Sequence, residues 1–332
     1  MRTGDPFPSL SDEGEDEGGG LRFSSPTREI LAAGGEDAGK RLDLFLSQRL
    51  GIPRSYSQKL IEGGRVSLSP FKRLRPGLKL SGEETAEVIL PPPESLELEP
   101  EEVPFSVVYE DRWILVVDKP SGVVVHPAPG NWRGTLVHGL LHRFGDFGPF
   151  NNVLRPGIVH RLDATTSGLL VIAREQSVME DLQRQFRERE VEKRYLALAE
   201  GKVKGLRGRI ELPVGRSSSN RLRMAVVPQG KSALTEYRVL WRRPGFTFLE
   251  CTIATGRTHQ IRVHLSHIGH PLDGDGLYGA DKRQAALLGR VFLHSWKLAF
   301  VHPVLQKRLS FTAFLPASLT GRLREILSRD PG

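Results

Sequence analysis

The sequence contains a single cysteine, Cys251, among its 332 residues. One thiol cannot form an internal disulfide, and it cannot supply the paired thiolates of a structural zinc cluster. No run of 18 or more apolar residues occurs, so we expect no membrane-spanning helix. The first thirty residues are acidic and glycine-rich, without the apolar segment that a secretory signal needs. Together these absences predict a cytoplasmic protein with no membrane partner.

The composition is that of an ordinary globular protein, with 39% hydrophobic and 26% charged residues, and the length suits about two domains. The charge is unevenly distributed. Residues 1–38 carry nine acidic and three basic side chains, a net charge of −6. Because the whole chain has a net charge of +8, the remaining residues have a net charge of +14. A body this basic indicates a polyanionic partner, with RNA or DNA ahead of acidic protein or lipid. A basic surface that serves only solubility is the alternative.

The N-terminal segment, residues 1–38, includes the run SDEGEDEGGG and few bulky apolar side chains. Such a segment cannot bury enough surface to offset the entropy that it would lose on ordering. We therefore predict a disordered acidic tail over residues 1–38.

Residues 39–97 are predicted to form a small α/β module followed by a linker. Apolar residues at helical spacing indicate a first helix from Leu42 to Leu50. Ser55 and Gln58 have the form of a capping box that begins a second helix. Strands are predicted over residues 65–68 and 85–90, and the linker follows in a proline- and glutamate-rich run.

Residues 40–90 hold ten basic and five acidic side chains. Two small helices, a ribbon and a basic surface resemble the RNA-binding module named for ribosomal protein S four. The sequence departs from that pattern at residues 67–70, where Ser-Leu-Ser-Pro replaces the usual Val-Asn-Gly turn. The resemblance makes basic side chains of this module, Lys59 and Arg65 among them, candidate RNA ligands.

From residue 98 to 325 the pattern becomes β-rich, and many strands with a few interspersed helices predict an α+β domain on a mixed, mainly antiparallel sheet. Strands are predicted over residues 107–109, 114–117, 123–125, 169–173, 195–199, 236–241, 246–254 and 298–301, and helices over residues 135–144, 178–189 and 260–267.

Asp163 stands at a predicted loop between two strand-like runs, residues 157–162 and 169–173. His160 and Arg161 precede it, and small hydroxyl residues and a glycine follow it. Binding and catalytic groups concentrate on loops that rigid elements hold in place. A structural ion pair between a buried aspartate and an arginine explains the same residues, so spacing alone leaves both interpretations open.

The block HRLDATTSG, residues 160–168, resembles the signature loop of the RluA-type pseudouridine synthases. Three further blocks follow the family's order: DKPSGVVVHP at 118–127, EKRYLAL at 192–198 and TGRTHQIRVHLSHIGHPLDGDGLYG at 255–279. The resemblance implies a pseudouridine synthase fold and an isomerase that converts uridine to pseudouridine in RNA. That reaction breaks the bond from ribose C1′ to N1, rotates the uracil and joins C1′ to C5, so it requires no cofactor.

The resemblance assigns catalytic roles to three residues. The carboxylate of Asp163 would act as nucleophile or as a base on the sugar, through either a covalent ester or a glycal. Arg262 would pair with that carboxylate through a guanidinium that keeps its charge. Tyr195 would stack on uracil and place its oxygen near C5 for the final proton removal.

Further residues are candidate RNA ligands. Arg161 matches the family's arginine that displaces the target nucleotide and fills its space. Its neighbour His160 and the nearby Arg257 are candidate substrate and phosphate ligands. The family members with this N-terminal module mostly act on bacterial large-subunit ribosomal RNA, so we expect that substrate and a monomeric enzyme. A transfer-RNA enzyme and an idle RNA-binding or ribosome-assembly factor are the alternatives.

Four histidines in the last block suggest a metal site, and a metal-dependent nuclease is the corresponding alternative. The isomerisation needs no metal ion, and no thiolate is available, so we predict no metal site. The four residues are His259, His264, His267 and His270.

Overall fold

The computed structural model describes residues 27–52, 54–69, 71, 73–90, 98–128, 130–145, 150, 155–220 and 223–328. These residues group into two compact units that divide between residues 90 and 98, with residues 128 and 130 in the first. Of the proline- and glutamate-rich run predicted as a linker, residues 91–102, the part from 91 to 97 lies outside the described residues. Across the described ranges, no helix has the length and apolar character needed to span a membrane.

The first unit packs two helices against a three-stranded antiparallel sheet. Leu42, Phe45 and Leu46 of the first helix are fully buried with Leu60 of the second and Val88 of the sheet. The sheet order is β1-β3-β2. The elements are β1 (Thr27–Ala32), a 3-10 helix (Gly35–Asp37), α1 (Leu42–Leu50), α2 (Arg54–Glu62), β2 (Val66–Ser69) and β3 (Thr85–Leu90).

Order begins earlier than predicted, so the disordered tail is wrong over residues 27–38. β1 pairs with β3 along its whole length, from Thr27 opposite Leu90 to Ala32 opposite Thr85. Asp37 is buried and accepts hydrogen bonds from Lys40 and Arg49. The composition of the segment could not reveal this, because main-chain pairing to a distant strand orders it. Residues 1–26 of the predicted tail lie outside the described residues.

The predicted capping box is also wrong. α2 begins at Arg54, one residue ahead of the proposed cap, and the Gln58 side chain donates to Asp43 at 2.7 Å. Asp43 is fully buried and also accepts from Arg41 and Arg54. The glutamine therefore joins α2 to α1, which the local sequence could not indicate.

The second unit is built on one large sheet, ordered β4-β5-β6-β13-β7-β12-β11-β8, with β14 also paired to β13 and a separate β9–β10 ribbon. Its strands are β4 (Ser106–Glu110), β5 (Ile114–Lys119), β6 (Ser167–Ala173), β7 (Glu192–Glu200), β8 (Arg207–Glu211), β9 (Val214–Arg216), β10 (Met224–Val226), β11 (Leu234–Arg243), β12 (Phe246–Ile253), β13 (Leu293–Val301) and β14 (Arg308–Thr312). Its helices are α3 (Leu136–Phe144), α4 (Gln176–Arg187), α5 (Gln260–His267), α6 (Lys282–Leu288) and α7 (Ala317–Ser328).

All pairs of the large sheet are antiparallel except β6 with β13, which run parallel where Ser167 and Gly168 meet His294 and Ser295. This mixed, mainly antiparallel sheet confirms the predicted α+β class. The central strands β5 and β6 supply much of the core, because every residue of β6 is buried. Their apolar runs lack period-two alternation, as expected for strands covered on both faces.

The predicted strand over residues 123–125 is wrong. The carbonyls of Val124 and Val125 accept the backbone N–H groups of Leu136 and Val137 at 2.8 and 3.1 Å. This segment therefore satisfies the exposed donors at the start of α3 instead of joining a sheet. The local sequence did not predict β8, β9, β10, β14, α6 and α7. β8, for example, carries a single large apolar residue, Ile210, in the sequence RGRIE.

Candidate active site

Asp163 lies in a tight turn immediately before β6. The N–H of Thr166 donates to the Asp163 carbonyl at 3.0 Å, and the N–H of Gly122 donates to the carbonyl of Ala164 at 2.8 Å. The Asp163 side chain is 15% exposed, whereas its neighbour Leu162 is buried. The turn thus holds the carboxylate where a ligand can reach it.

Lys119, the last residue of β5, fixes the other side of this turn. Its ammonium donates to the carbonyls of Pro120 and Val123 at 2.8 Å and of Ala164 at 3.3 Å. Burial lowers the pKa of Lys119 to about 7, against the opposing effect of the Asp163 charge. No role was predicted for Lys119 from the sequence, although it belongs to one of the four family-like blocks.

Arg262, on α5, lies beside Asp163. Its Nη1 is 3.4 Å from Asp163 Oδ2, while Nε and Nη2 fork onto Asp275 at 2.7 and 2.9 Å. The guanidinium carbon also lies 4.9 Å from the ring centroid of Tyr278. Asp275 is fully buried, so it is the principal anchor of Arg262. Asp275 was not predicted as the partner of Arg262, because nothing in the sequence around Asp275 distinguishes a buried ion-pair partner from a carboxylate in an exposed turn.

Gly168 allows β6 and β13 to approach closely behind the turn. It has a φ of +116°, and a Cβ there would lie 2.2 Å from the carbonyl oxygen of Ser295. A side chain at this position must therefore displace β13 or the turn that carries Asp163.

We expect Gly168→Ala to lower the free energy of unfolding by more than about 2 kcal/mol, because the added methyl overlaps backbone that cannot move freely. Urea unfolding measures the change. Gly245→Ala is the matched control, since its φ is +78° and no atom lies within 4 Å of the added Cβ. Gly245→Ala should lower the free energy of unfolding by about 1 kcal/mol, because only the unfavourable backbone conformation contributes. Equal losses in the two variants would contradict the close-packing role of Gly168.

Tyr195 projects from β7, opposite Ser295 of β13 and Cys251 of β12. Its side chain is only 6% exposed. Burial raises the pKa of Tyr195, and the charge of Asp163 raises it further. The structure therefore brings Tyr195 into the electrostatic range of Asp163 as a neutral phenol.

Lys193 lies on the same face of β7 as Tyr195 and is 5% exposed. Its ammonium lies 5.2 Å from the ring centroid of Phe186. Burial lowers the pKa of Lys193 to about 8, and the charge of Arg257 contributes. Arg257 itself donates from Nε to the carbonyl of Ser232 at 3.2 Å. Lys193 therefore lies within the electrostatic range of Arg257. Period-two alternation from Tyr195 could have identified Lys193 as a residue of the same strand face.

The imidazole ring of His160 contacts other protein groups. Its Nε2 accepts the N–H of Val171 at 3.1 Å, and the ring stacks on Phe186 at 4.5 Å. Burial lowers the pKa of His160 to about 3, so the ring is neutral and fastens the chain to β6. Arg161, by contrast, is exposed.

The other two predicted RNA ligands, Lys59 and Arg65, belong to the first unit. Lys59 is half-buried on α2, and Arg65 is exposed at the start of the following ribbon.

The histidines of the last block have separate partners. His264 lies 2.9 Å from the Thr235 hydroxyl and 3.0 Å from the Leu212 carbonyl, and His270 lies 2.9 Å from the Glu200 carbonyl. Within the described ranges, no three His, Cys, Asp or Glu side chains are placed to share a metal ion.

Comparisons with known proteins give consistent similarities. A sequence profile of the family described as RNA pseudouridylate synthase matches residues 113–267. A protein of Aquifex aeolicus named an uncharacterized RNA pseudouridine synthase is 43% identical, over 83% of this chain and 90% of that protein. A protein of Zymomonas mobilis named ribosomal large subunit pseudouridine synthase D is 39% identical, over 89% and 96% respectively. The solved structure of human RNA pseudouridylate synthase domain containing 1 matches with a TM-score of 0.51 and 29% identity, over 72% and 99%.

Proposed function

The chain belongs to the RluA-type family of RNA pseudouridine synthases, which are isomerases, and from that premise we propose that its substrate is large-subunit ribosomal RNA. The Zymomonas mobilis relative carries that substrate in its name, and the similarity extends over 89% of this chain. The shared length includes the basic N-terminal unit, whose residues 40–90 have a net charge of +5. Such a unit suits a large, structured polyanion.

We further propose that Asp163 attacks the ribose or acts as a base on it. The observation that carries this proposal is a partly exposed carboxylate in a rigid turn, with Arg262 at 3.4 Å. A carboxylate beside an anomeric carbon can stabilise or capture the positive charge that develops when a glycosidic bond breaks. Lys119 holds the turn in place, so the carboxylate needs little reorganisation during the reaction.

Tyr195 is proposed to stack on the detached uracil. Because its pKa is raised, the phenol keeps its proton at neutral pH and offers an apolar face and a hydroxyl donor. This state favours the stacking role of Tyr195 over direct removal of the C5 proton by a phenolate. Arg161, exposed two residues before Asp163, is proposed to occupy the space that the extruded nucleotide leaves.

Phosphate groups next to the target nucleotide are proposed to bind Arg257 together with Lys193. Both are cationic groups, and the buried ammonium of Lys193 lies in the field of Arg257. An anion between them would relieve that repulsion. Lys59 and Arg65 are proposed phosphate ligands on the first unit, where they would add affinity without sequence information.

Tritium release from C5-labelled uridine tests the function directly. We expect release from large-subunit ribosomal RNA and little from transfer RNA at equal concentration. Pseudouridine mapping in ribosomal RNA from a strain lacking the gene should then identify the missing sites. Release from transfer RNA alone would favour the transfer-RNA enzyme, and tight binding with no release from either RNA would favour the idle factor.

We expect removal of residues 1–97 to weaken binding of ribosomal RNA and to raise KM more than it lowers kcat. The proposed catalytic residues all lie in the second unit, whereas the deleted part carries the +5 of residues 40–90. Each lost phosphate contact should flatten the slope of log affinity against log salt by about 0.7–0.9. Titrations at two salt concentrations measure both effects.

Removal of residues 1–26 is the control for this truncation, because the segment carries six acidic and two basic side chains and precedes β1. It should leave affinity unchanged or slightly higher. Equal affinities for the full chain and for residues 98–332 would show that the first unit does not bind RNA.

A further inference from the structure

His259 adopts a backbone conformation that is uncommon for residues other than glycine. Its φ of +56° is in the left-handed region, which only two other non-glycine residues, Arg189 and Gln306, share across the described part of the chain. Such a conformation is energetically unfavourable and persists only where the surroundings enforce it. His259 directly precedes α5, the helix that carries Arg262. The strained backbone therefore lies next to the proposed active site, where the contacts of the His259 side chain must hold it in place.

Two hydrogen-bonding contacts of the Tyr278 hydroxyl favour one position for the proton of the His259 ring. The backbone N–H of Met224 donates to the Tyr278 hydroxyl at 2.8 Å. That hydroxyl lies 2.8 Å from Nδ1 of His259, its other hydrogen-bonding contact within the described ranges. Since a backbone amide can only donate, the hydroxyl oxygen accepts from it, and Nδ1 of His259 is the acceptor that the described residues offer to the hydroxyl hydrogen. A neutral imidazole with an acceptor at Nδ1 carries its proton on Nε2.

The second ring nitrogen faces the proposed catalytic carboxylate. Nε2 of His259 lies 3.9 Å from Oδ2 of Asp163, the same oxygen that lies 3.4 Å from Nη1 of Arg262. A distance of 3.9 Å exceeds a hydrogen bond, so donation requires the imidazole and the carboxylate to move closer together. Burial lowers the pKa of His259, and Arg262 and Arg161 add to this effect against Asp163 and Asp275. The ring is therefore neutral near pH 7, and the nitrogen that carries the proton in this tautomer is the one 3.9 Å from Asp163.

We propose that His259 is a positioning residue for Asp163: Tyr278 fixes its Nε2–H tautomer, and this N–H donates to Oδ2 when RNA is bound. The inference rests on the proposed function, because it presumes that Asp163 is the reacting carboxylate. With Oδ2 held by His259 and Arg262, the other oxygen, Oδ1, is left to face the ribose. A carboxylate fixed in this way loses less rotational freedom in the transition state.

Steady-state and single-turnover rates on C5-tritiated ribosomal RNA test the proposal. His259→Phe keeps a ring but no donor, and we expect kcat to fall by about 10–100-fold with KM and RNA affinity unchanged. Tyr278→Phe keeps the ring beneath Arg262 and should lower kcat by up to about tenfold, since the tautomer is no longer fixed. The double variant should be no slower than His259→Phe, because the hydroxyl acts only through the imidazole. His259→Gln restores an N–H donor and should recover part of the rate.

The tautomer can be measured without activity. Histidine-ring ¹⁵N spectra of the wild type, assigned by the signal lost in His259→Gln, should show an unprotonated Nδ1 and a protonated Nε2. A protonated Nδ1, a wild-type kcat in His259→Phe, or independent losses that multiply in the double variant would each overturn the proposal. The spectra decide the matter even if His259→Phe fails to fold.

Asp163→Asn, assayed in parallel, separates the two hypotheses. If it is active, the proposed function fails and this inference fails with it. If it is inactive while His259→Phe turns over normally, only the role of His259 is wrong.

Discussion

Asp163→Asn is expected to form no measurable pseudouridine, with turnover lower by about a thousandfold or more. The amide has the size and polarity of the carboxylate, but it can act neither as a nucleophile nor as a base on the sugar. Stability should change little, because Arg262 keeps its shorter bonds to Asp275 at 2.7 and 2.9 Å. RNA affinity should also be retained, since the proposed phosphate ligands are untouched. Tritium release from C5-labelled uridine in ribosomal RNA measures the loss.

The control for this variant makes the same chemical change elsewhere. Asp181→Asn alters a carboxylate of α4 that pairs with Arg184 and accepts from Gln185. It should turn over at the wild-type rate. A turnover near wild type in Asp163→Asn would remove the carboxylate from the mechanism, whatever the control shows.

Arg262→Lys is expected to reduce both stability and catalysis. Lysine keeps the charge, but a single ammonium cannot fork onto Asp275 and also reach Asp163. A buried carboxylate left with poor partners should lower the free energy of unfolding by about 2–4 kcal/mol. Because the Asp163 carboxylate also loses a fixed neighbour, kcat should fall by about a hundredfold. Urea unfolding and single-turnover rates measure the two effects separately.

The chain contains a matched control for this substitution. Arg322 is also buried and forks onto a buried carboxylate, Asp273, at 2.8 and 3.3 Å. Its guanidinium carbon lies 5.2 Å from the ring centroid of Phe246, much as Arg262 lies over Tyr278. Arg322→Lys should therefore lose similar stability and keep its kcat. If both variants lost activity equally, Arg262 would have only a structural role.

Local patterns in the sequence determined several elements correctly. The helix predicted over residues 260–267 is α5, and the strand predicted over 169–173 lies within β6. Asp163 lies in a turn before β6, as its glycine and hydroxyl residues indicated. The strand expected over residues 157–162 is wrong, because this stretch pairs with β6 only through an isolated bridge from Ile158 to Ile172. The correctly predicted features depend on hydrophobic periodicity and on residues that break strands, so a short window of sequence contains the necessary information. The family-like blocks added the pairing of Asp163 with Arg262, which spacing alone left open.

Tertiary structure decided the remaining features, because they join residues that are distant in the chain. β1 is ordered by pairing with β3, so its composition alone predicted disorder. Asp163 and Arg262 are 99 residues apart and meet only through the order of strands in the sheet. The hydrogen bonds of the buried Lys119 ammonium depend on carbonyl groups that only the folded chain places around it. The tautomer proposed for His259 likewise depends on the position of the Tyr278 hydroxyl. Burial also sets the charge state of these groups, and no local pattern of residue types encodes it.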